Sequence, residues 1–464
     1  MSQFYSSFVN VIDTLSDIAW SPVTLIFFMG TGLFLTIYLK FIQVRYFKES
    51  IKVLTTKPFD EDKTTDQISG FRALATVLSG TIGTGNIAGV ATAIAIGGPG
   101  AIFWMWVTAF LGMAIKFSSC TLAHKYRIIE KSGDILGGPM VTIQNALKQN
   151  IWTKILGVMF ASFIMIASLT TGNMVQANSI VDGLGYIFPD LNGYRIYIGI
   201  FLAFTIGTVI LGGVKRISYI AGIVIPFIAI AYVLCALFIL GLNYKAVPHS
   251  FYLIITDAFS VNATFGASLW VIIRSGISRG IFSSESGLGS SPIVIATLKT
   301  DKSINAGFLD MIGPLFDTLL ICTMTALVII STGHYGNNIP DNLIGTPLSQ
   351  HAFATGLSGA FGKQGEILGG TIVGIGLFLF AYTTTITWCY YGDRGSYFLF
   401  GPKAVTPFRI IFLICFVIGS IIPLKLVWEM ADIANMGIAL PNLISILILS
   451  KTLKKMVYHK KEVN

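Results

Sequence analysis

Long apolar runs separated by short polar segments recur along the whole chain. Each run is near or above the roughly 20 residues that a helix needs to cross a bilayer. We place eleven of them, at residues 22–44, 70–98, 100–124, 152–182, 194–213, 217–242, 261–296, 303–332, 366–392, 406–422 and 426–450. The pattern predicts an all-α polytopic membrane protein with about eleven transmembrane helices, surrounded by a lipid bilayer.

Two of these runs are interrupted by glycine-rich sequence, at residues 79–89 and 274–289. Glycine costs about 1 kcal/mol against alanine inside a helix, and unwound backbone survives at membrane depth only where it lines a protein cavity. Because the second interrupted run comes five spans after the first, an odd number, the breaks indicate two halves of opposite orientation, the pattern of a secondary transporter with a midplane site. The alternative is that the glycines serve close helix packing of the GxxxG kind.

The two breaks also suggest how the chain is divided. We predict an extra N-terminal transmembrane helix with a cytoplasmic linker over 1–69, inverted repeats over 70–242 and 261–450, and a basic cytoplasmic tail over 451–464. The linker sequence at 57–63 has mixed charge and is predicted to be exposed to solvent and mobile.

Composition and charge agree with a membrane protein. Hydrophobic residues make up 54% of the chain and charged residues 11%, against roughly 25% charged residues in soluble domains. The net charge is +9, but the basic residues collect in alternate loops. That distribution indicates membrane topology rather than a nucleic-acid-binding face. We expect a plasma (inner) membrane protein with its N-terminus outside and its C-terminus in the cytoplasm.

The first break carries the atoms that a small ion or an amino acid would need. Thr81, Gly83, Thr84, Gly85 and Asn86 offer carbonyl, hydroxyl and amide oxygens, which hard cations prefer. The N-terminus of the half-helix that follows can face a carboxylate. We predict that the backbone of this stretch binds substrate. The Asn86 side chain either joins that site or caps the second half-helix.

The fourth span carries three amides close together, and Gln176 is the candidate among them for contact with substrate. A buried amide needs hydrogen-bond partners, and an amine or carboxylate of the substrate would supply one. Interhelical hydrogen bonding explains such an amide equally well.

The ninth span carries a hydroxyl cluster followed by a tryptophan. Thr384 and Thr385 either bond back to carbonyls of their own helix or complete a sodium site against the first break. Trp388, one turn further on, is expected to cover a small pocket; as an ordinary buried aromatic residue it would need only a partner for its N–H.

Charged residues inside the spans are costly and are functional candidates by default. Arg279 and Glu285 lie in or next to the second break, and Asp317 lies in the following span. We favour a structural ion pair of Arg279 with Glu285 or Asp317, or a gate on the cytoplasmic side, over contact with substrate.

Motifs of enzymes and of ATP-driven pumps are absent from the sequence. It contains no Walker A sequence, no HExxH and no GxGxxG after a predicted strand, and its GxSxG match at Gly276–Gly280 lies inside an interrupted apolar span rather than after a strand. We therefore expect a protein that is not an enzyme, that needs no cofactor, and that uses an ion gradient as its driving force.

Several motifs resemble those of the alanine/glycine:cation symporter family, also called sodium:alanine symporters, within the leucine-transporter-like superfamily. The resemblance covers nearly the whole chain. It rests on Gly80–Gly89, Gly97–Ala101, Gly138–Met140, Gly172–Asn178, Arg279–Ser283, Gly287–Ser290, Trp388 with Gly392, and Pro441–Leu443.

The resemblance implies a leucine-transporter-like fold, with one extra helix ahead of a five-plus-five inverted repeat, and sodium-coupled uptake of alanine or glycine. It implies a substrate site between the first break, Gln176, Trp388 and the second break, where Ser275 and Gly276 are the expected contacts. It also implies a sodium site made by Thr81 or its neighbours with Thr384 and Thr385.

Two other functions stay open at this point. A proton-coupled carrier of another small amino acid would share the same architecture. A membrane sensor that binds an amino acid without transporting it is a third possibility, although the short tails count against it.

Overall fold

The computed structural model describes residues 2–55, 66–260, 268–340 and 343–458. The linker at 57–63 and the last residues of the basic tail lie outside them. Within this part of the chain the helices are Ser2–Ala19, Pro22–Tyr38, Ile42–Arg45, Phe47–Thr55, Gly70–Thr81, Gly85–Gly89, Val90–Gly97, Ala101–Lys125, Pro139–Ala146, Ile151–Leu169, Thr170–Met174, Val175–Ile187, Pro189–Tyr194, Arg195–Ile210, Gly213–Leu242, Val247–Asp257, Leu269–Ser284, Ser291–Ile295, Ser303–Met311, Leu315–Cys322, Thr323–Ser331, Gly336–Asn338, Thr346–Phe400, Pro402–Ala404, Val405–Gly419, Leu424–Ile448 and Ser450–Tyr458. One antiparallel hairpin, Ile128–Ile129 with Ile135–Leu136, joins them.

The prediction of an all-α polytopic protein is confirmed. Among the described residues, nine helices are long and apolar enough to cross a membrane, or ten if the bent pair around the first break counts as one span. The second interrupted span is not in that count, because Leu269–Ser284 is followed by the short helix Ser291–Ile295. The total of eleven stays a prediction.

The first interrupted span breaks within the predicted stretch. A helix over Gly70–Thr81 ends there, and a π-helical turn over Gly85–Gly89 leads into Val90–Gly97. The two parts meet at an angle of 52°. The Ile82 N–H still donates to the Leu78 carbonyl, but the N–H groups of Gly83 and Thr84 leave the helical hydrogen-bond ladder and bond to side chains instead.

The second break is shorter than predicted and lies later in the chain. The helix continues from Leu269 to Ser284, and the chain leaves it at Glu285, whose φ of 51° is left-handed. The earlier glycines, Gly276 and Gly280, lie within this helix, and their lack of a side chain lets the neighbouring helix Ala101–Lys125 approach closely. A Cβ on Gly276 would lie 2.3 Å from the Ala101 carbonyl oxygen. The close-packing interpretation therefore holds for the first half of the predicted break.

Two further spans are interrupted where the sequence predicted continuous helices. π-helical segments occupy Thr170–Met174 in the fourth span and Leu315–Cys322 in the span after the second break. A π segment inserts an extra residue and displaces carbonyls from the α ladder, and such segments are frequent at functional sites. Leu315–Cys322 packs against Gly85–Gly89, and Thr170–Met174 leads directly into the helix that carries Gln176.

Large apolar side chains cover the outer surface of the helical bundle. Phe204, Phe227, Leu234 and Ile410 are exposed, on helices that are also apolar enough to cross a bilayer. Such a surface suits lipid rather than water. Polar side chains are instead buried around the first break, which lies inside the bundle.

Candidate functional site

Side chains from several elements converge on the unwound residues of the first break. They come from the fourth span, the helix Leu269–Ser284, the π segment Leu315–Cys322 and the part of the long helix Thr346–Phe400 that follows its kink at Gly362, where φ is 58° and ψ is −142°. Thr84, Asn86, Gln176 and Trp388 are all buried. The structure thus brings together residues that lie up to about 300 positions apart in the sequence.

Gln176 ties the fourth span to the first break. Its side-chain oxygen accepts hydrogen bonds from the Thr84 hydroxyl at 2.6 Å and from the Thr84 backbone N–H at 3.3 Å. Its side-chain nitrogen donates to the Thr171 carbonyl at 3.1 Å, within the π segment Thr170–Met174. The interhelical hydrogen bond that the sequence analysis gave as one explanation of this amide is therefore present. It gives the backbone N–H of Thr84 a partner.

Asn86 crosslinks the break internally and to two other elements. Its oxygen accepts from the Gly83 N–H at 2.9 Å, while its nitrogen donates to the Ser283 hydroxyl at 3.1 Å and to the Asp317 carbonyl at 3.0 Å. Thr325 donates to the Asn86 carbonyl at 2.9 Å. The Asn86 side chain does not act as a conventional N-cap, because its partners lie in three separate segments.

The hydroxyl cluster divides between the break and its own helix. Thr384 donates to the carbonyl oxygens of Ser79 at 2.8 Å and of Ile82 at 3.3 Å. Thr385 donates to Ala381 of its own helix at 2.8 Å, which leaves its oxygen lone pairs available to a cation. Thr81, the last residue of the helix before the break, is buried nearby. A Cβ on Gly83 would lie 2.6 Å from the Thr384 hydroxyl, so the hydroxyl and the break are in close contact.

Trp388 joins the two breaks. Its indole N–H donates to a carboxylate oxygen of Glu285 at 2.7 Å and lies 3.3 Å from the Gly80 carbonyl. The hydroxyl of Ser290 donates to the other oxygen of Glu285. Gly85, also in the first break, packs against Phe282, since a Cβ there would lie 3.0 Å from its ring. The helix that carries Trp388 is thus fixed to both interrupted spans.

Four charged side chains are buried close to the breaks. Lys116 pairs with Asp310 at 3.3 Å. Glu285 and Asp317 have no Lys or Arg within 4 Å among the residues that the structure describes, and Asp317 accepts a hydrogen bond from the Thr318 hydroxyl. Two carboxyl groups therefore face the breaks without a paired basic side chain, so a bound cation or a proton would lower their electrostatic cost.

Arg279 is paired, but with a residue that the sequence did not suggest. Its guanidinium lies 3.1 Å from the Asp432 carboxylate and 4.6 Å from the centre of the Trp428 ring. The Phe282 ring packs against the same tryptophan at a tilt of 34°, with ring centres 4.5 Å apart. The expected pair with Glu285 or Asp317 is wrong, because Arg279 lies more than one helical turn before the break and faces Leu424–Ile448 instead.

Two of the predicted substrate contacts lie away from the first break. Ser275 donates to the Ala93 carbonyl at 3.3 Å, and Gly276 packs against Ala101–Lys125. Ser275 is nine residues before Ser284, roughly 13 Å along a helix axis. The sequence predicts a break that begins at Arg274 and so places both residues in the site, whereas the helix continues to Ser284.

Sequence reasoning missed several residues that complete the site. Ser283 contacts Asn86, Thr387 contacts Ser79 at 2.5 Å, and Asn435 accepts from the Thr171 hydroxyl at 2.9 Å. Asp432 is the partner of Arg279. Asp432 and Asn435 lie in a predicted span that also carries Glu429 and Asn442, and polar residues at membrane depth are a usable signal because they need partners.

The model of the sodium:alanine symporter family matches residues 5–463. The sodium/alanine symporter AgcS of Methanococcus maripaludis is 42% identical over 96% of this chain and 95% of its own. The "Probable sodium/glutamine symporter GlnT" of Bacillus subtilis is 34% identical over 95% of this chain and 88% of its own.

A solved structure shares the fold. The crystal structure of MhsT in complex with L-phenylalanine superposes with a TM-score of 0.60, covering 83% of this chain and 89% of that one, at 13% sequence identity. At that identity the likeness concerns the fold alone. It confirms the predicted leucine-transporter-like architecture.

Proposed function

Because the chain belongs to the sodium:alanine symporter family and is therefore a multi-pass, cation-coupled amino-acid transporter rather than an enzyme, we propose that it imports alanine and glycine together with sodium. Transport proceeds by alternating access around the first break. The N-terminus lies outside and the C-terminus in the cytoplasm, as the loop charges indicate.

The observation that carries this proposal is the first break, buried and held by side chains rather than by helix hydrogen bonds. Gln176 and Thr384 each contact backbone groups of residues 79–84. These contacts are side-chain hydrogen bonds that an amino acid and a cation can replace. In this proposal the substrate carboxylate faces Thr84, Gly85 and the start of the second half-helix, and Trp388 covers its side chain.

Sodium is proposed to lie between Thr81, Thr384 and Thr385, with carbonyl oxygens of the break completing its shell. Hard cations take such oxygens. Glu285 and Asp317 supply negative charge close by without an ion-pair partner among the described residues. Binding of sodium then favours the conformation that accepts substrate, and reciprocity requires that substrate tighten sodium binding by the same factor.

A proton-coupled carrier is the second candidate, and the same two carboxyl groups favour it. A proton on Glu285 or Asp317 would offset the cost of burial as a cation does. Uptake that persists with choline in place of sodium and follows an imposed pH gradient would identify this mechanism.

The test of the proposed function is uptake into proteoliposomes that contain the full-length protein. Labelled alanine, glycine and glutamine are supplied separately, with an inward sodium gradient or with choline. We expect alanine and glycine to accumulate only with sodium. Accumulation of glutamine alone would move the substrate class toward that of GlnT, and no accumulation of any of the three would refute amino-acid import by this chain.

Thr384→Val tests the proposed sodium site. Valine keeps the shape of threonine but removes the hydroxyl that contacts the break. We expect the sodium concentration for half-maximal uptake to rise about tenfold or more, because loss of a hydrogen bond or ligand to a charged group costs about 1.5–3 kcal/mol. The measurement is initial uptake against sodium concentration at saturating alanine.

Thr383→Val is the matched control for this change. Among the described residues, the hydroxyl of Thr383 donates to Leu379 and Phe380 of its own helix and to no other group. Its sodium dependence should match wild type. Equal shifts in the two variants would mean that the hydroxyl cluster acts through helix packing and not through sodium.

Arg279→Gln tests the cover that Arg279, Phe282, Trp428 and Asp432 form over the break. Arg279 and Phe282 lie in the half of the second broken span that precedes the break, and Trp428 and Asp432 lie near the start of Leu424–Ile448. Both places are on the outer side in the proposed orientation, so the expected cytoplasmic gate becomes an outer one. Removing one partner of a largely buried ion pair leaves the other charge uncompensated. We expect the KM for alanine to rise about tenfold, with faster release of bound alanine to the outside.

Arg274→Gln serves as the control. Arg274 lies on the same helix as Arg279, but its ion pair with Asp17, at 2.7 Å, is exposed to solvent. Exposed pairs contribute at most about 1 kcal/mol, so uptake should stay near wild type. An unchanged KM and release rate in Arg279→Gln would exclude a gating role for the pair.

A further inference from the structure

A polar cavity of about 270 Å³ lies beyond the site, at the end of the long helix Thr346–Phe400. Asp66, Asp134, Lys215, Arg394 and Arg409 line it together with Tyr390. In the sequence these five charged residues come from segments that all lie on the predicted cytoplasmic side. The fold brings them together between the start of the first broken span, the hairpin at 128–136 and the turn at 211–214.

Arg394 is the unusual member of this group. Its side chain is 8% exposed, yet its Nε and Nη1 atoms make no hydrogen bond within the described residues. The nearest carboxylate, that of Asp134, is 4.0 Å from Nη1, which is too long for a hydrogen bond. Buried donors without partners are rare and costly, and each calls for an explanation such as a bound ligand.

The guanidinium is held in a defined position. It lies over the rings of Tyr390 at 5.1 Å and Tyr397 at 5.3 Å. Stacking on aromatic faces leaves the edges of the guanidinium open, and a carboxylate makes a two-point contact either with Nε and Nη2 or with Nη1 and Nη2. One of the two unpartnered nitrogens of Arg394 lies on each of these edges. Arg409, in contrast, is already engaged by Asp393 at 2.6 Å and 2.9 Å.

The cavity also carries the opposite charge. Asp66 and Asp134 line it beside Arg394. Burial raises the pKa of the Asp66 carboxyl, and Arg394 opposes that rise. An ammonium group in the cavity would further favour the ionised carboxylate. With two acids on its wall the cavity does not suit a dianion such as phosphate, whereas a zwitterion meets one charge of each sign.

The cavity is adjacent to the site of the proposed transport. Tyr390 lies two residues after Trp388, and Arg394 lies six residues after it, roughly 9 Å further along the helix axis. We propose that this cavity is a second binding site for a zwitterionic amino acid, with Arg394 receiving the carboxylate and Asp66 the ammonium group. The inference rests on the proposed function, because it assigns to the cavity the amino acid that leaves the central site toward the cytoplasm.

The stoichiometry of binding tests this proposal. Purified full-length protein in saturating sodium is titrated with labelled alanine, or with labelled glutamine if glutamine is the amino acid taken up. We expect wild type to bind two equivalents. Arg394→Gln should bind one, because binding in the cavity weakens tenfold or more when the charged fork is lost. Gln176→Ala, which damages the central site, should also bind one equivalent, in the cavity.

Two controls keep the result interpretable. Lys403→Gln removes an exposed positive charge from the same end of the long helix without touching the cavity, and should bind two equivalents. Arg394→Lys keeps the charge but not the fork, and should bind in the cavity with intermediate affinity. Gel filtration shows whether each variant is folded.

The outcomes separate the two proposals. Wild type that saturates at one equivalent, or Arg394→Gln that retains two, overturns the second site while leaving sodium-driven uptake intact. If the charged residues of the cavity served only to contact one another during the transport cycle, wild type would bind one equivalent of amino acid. Loss of sodium-driven uptake in wild type would instead refute the proposed function.

Discussion

Replacing Gln176 by alanine is expected to lower sodium-driven uptake by a factor of roughly 30 or more in a protein that remains folded. The side chain of Gln176 accepts two hydrogen bonds from Thr84 and donates one to Thr171. Alanine leaves the Thr84 N–H and hydroxyl buried without a partner, and each such group costs about 1–3 kcal/mol. Because Thr84 lies in the unwound stretch, this loss falls on the conformation of the binding site.

The size of the effect follows from the number of groups that are released. Two unpaired donors correspond to a cost of about 2–6 kcal/mol, which is a factor of roughly 30 or more in the population of the binding-competent conformation. We expect initial uptake of labelled alanine at fixed sodium to fall by about that factor. The measurement uses proteoliposomes with equal amounts of reconstituted protein.

Asn178→Ala is the matched control for this prediction. Asn178 is a buried amide two residues further along the same helix, and its nitrogen donates to the carbonyls of Gly419 and Ile422. Its removal should lower the thermal midpoint without a comparable loss of uptake. If both variants lose uptake equally, the Gln176 amide acts through stability alone and the proposed site is wrong.

How far the sequence predicts this structure depends on whether a feature is local. The first break was located from its own glycines, since Gly83, Gly85 and Gly89 fall within eleven residues and no helix tolerates such a density cheaply. The hydroxyls of the ninth span were found in the same way. Each of these signals lies within a few residues of the feature that it identifies.

Features that depend on a distant partner could not be located in this way. Gly276 and Gly280 are as conspicuous in the sequence as the glycines of the first break, yet they are helical because Ala101 and Thr108 press against them. The same residue type serves a broken backbone and a close helix contact, and only the partner helix decides between them. For that reason the second break was predicted too early.

Ion-pair partners and π segments fail for the same physical reason. Arg279 and Asp432 are 153 positions apart, and no local pattern favours Asp432 over Glu285. The π segment Thr170–Met174 is held by tertiary contacts, such as the bond from Asn173 to the Phe412 carbonyl at 2.6 Å. These contacts place Gln176 against the break, so the site was named from the sequence but its geometry was not.

Gly172→Ala is the second change for which we expect a large loss, although the residue makes no polar contact to substrate or ion in the proposed site. A Cβ at this position would lie 2.1 Å from both Cβ and Cγ of Trp388. These atoms are close to the tryptophan backbone and have little freedom to move. The indole is also fixed by Glu285, and the Trp388 carbonyl by Ser168 at 2.7 Å.

The added methyl group must therefore displace Trp388 or separate the two helices. Overpacking of this kind costs about 1–3 kcal/mol, and movement of the indole breaks its hydrogen bond to Glu285. We expect alanine uptake to fall by about a factor of ten or more, with a lower thermal midpoint. Uptake and thermal unfolding are measured on the same preparation.

Gly157→Ala provides a control on the helix just before this segment. A Cβ there would make only ordinary contacts, the nearest being 3.7 Å from the Met140 carbonyl oxygen, and alanine is the better helix former by about 1 kcal/mol. This variant should be as active as wild type and at least as stable. Wild-type uptake in Gly172→Ala would show that the position of Trp388 is not what shapes the pocket, and would leave the first break and Gln176 to define the substrate site without it.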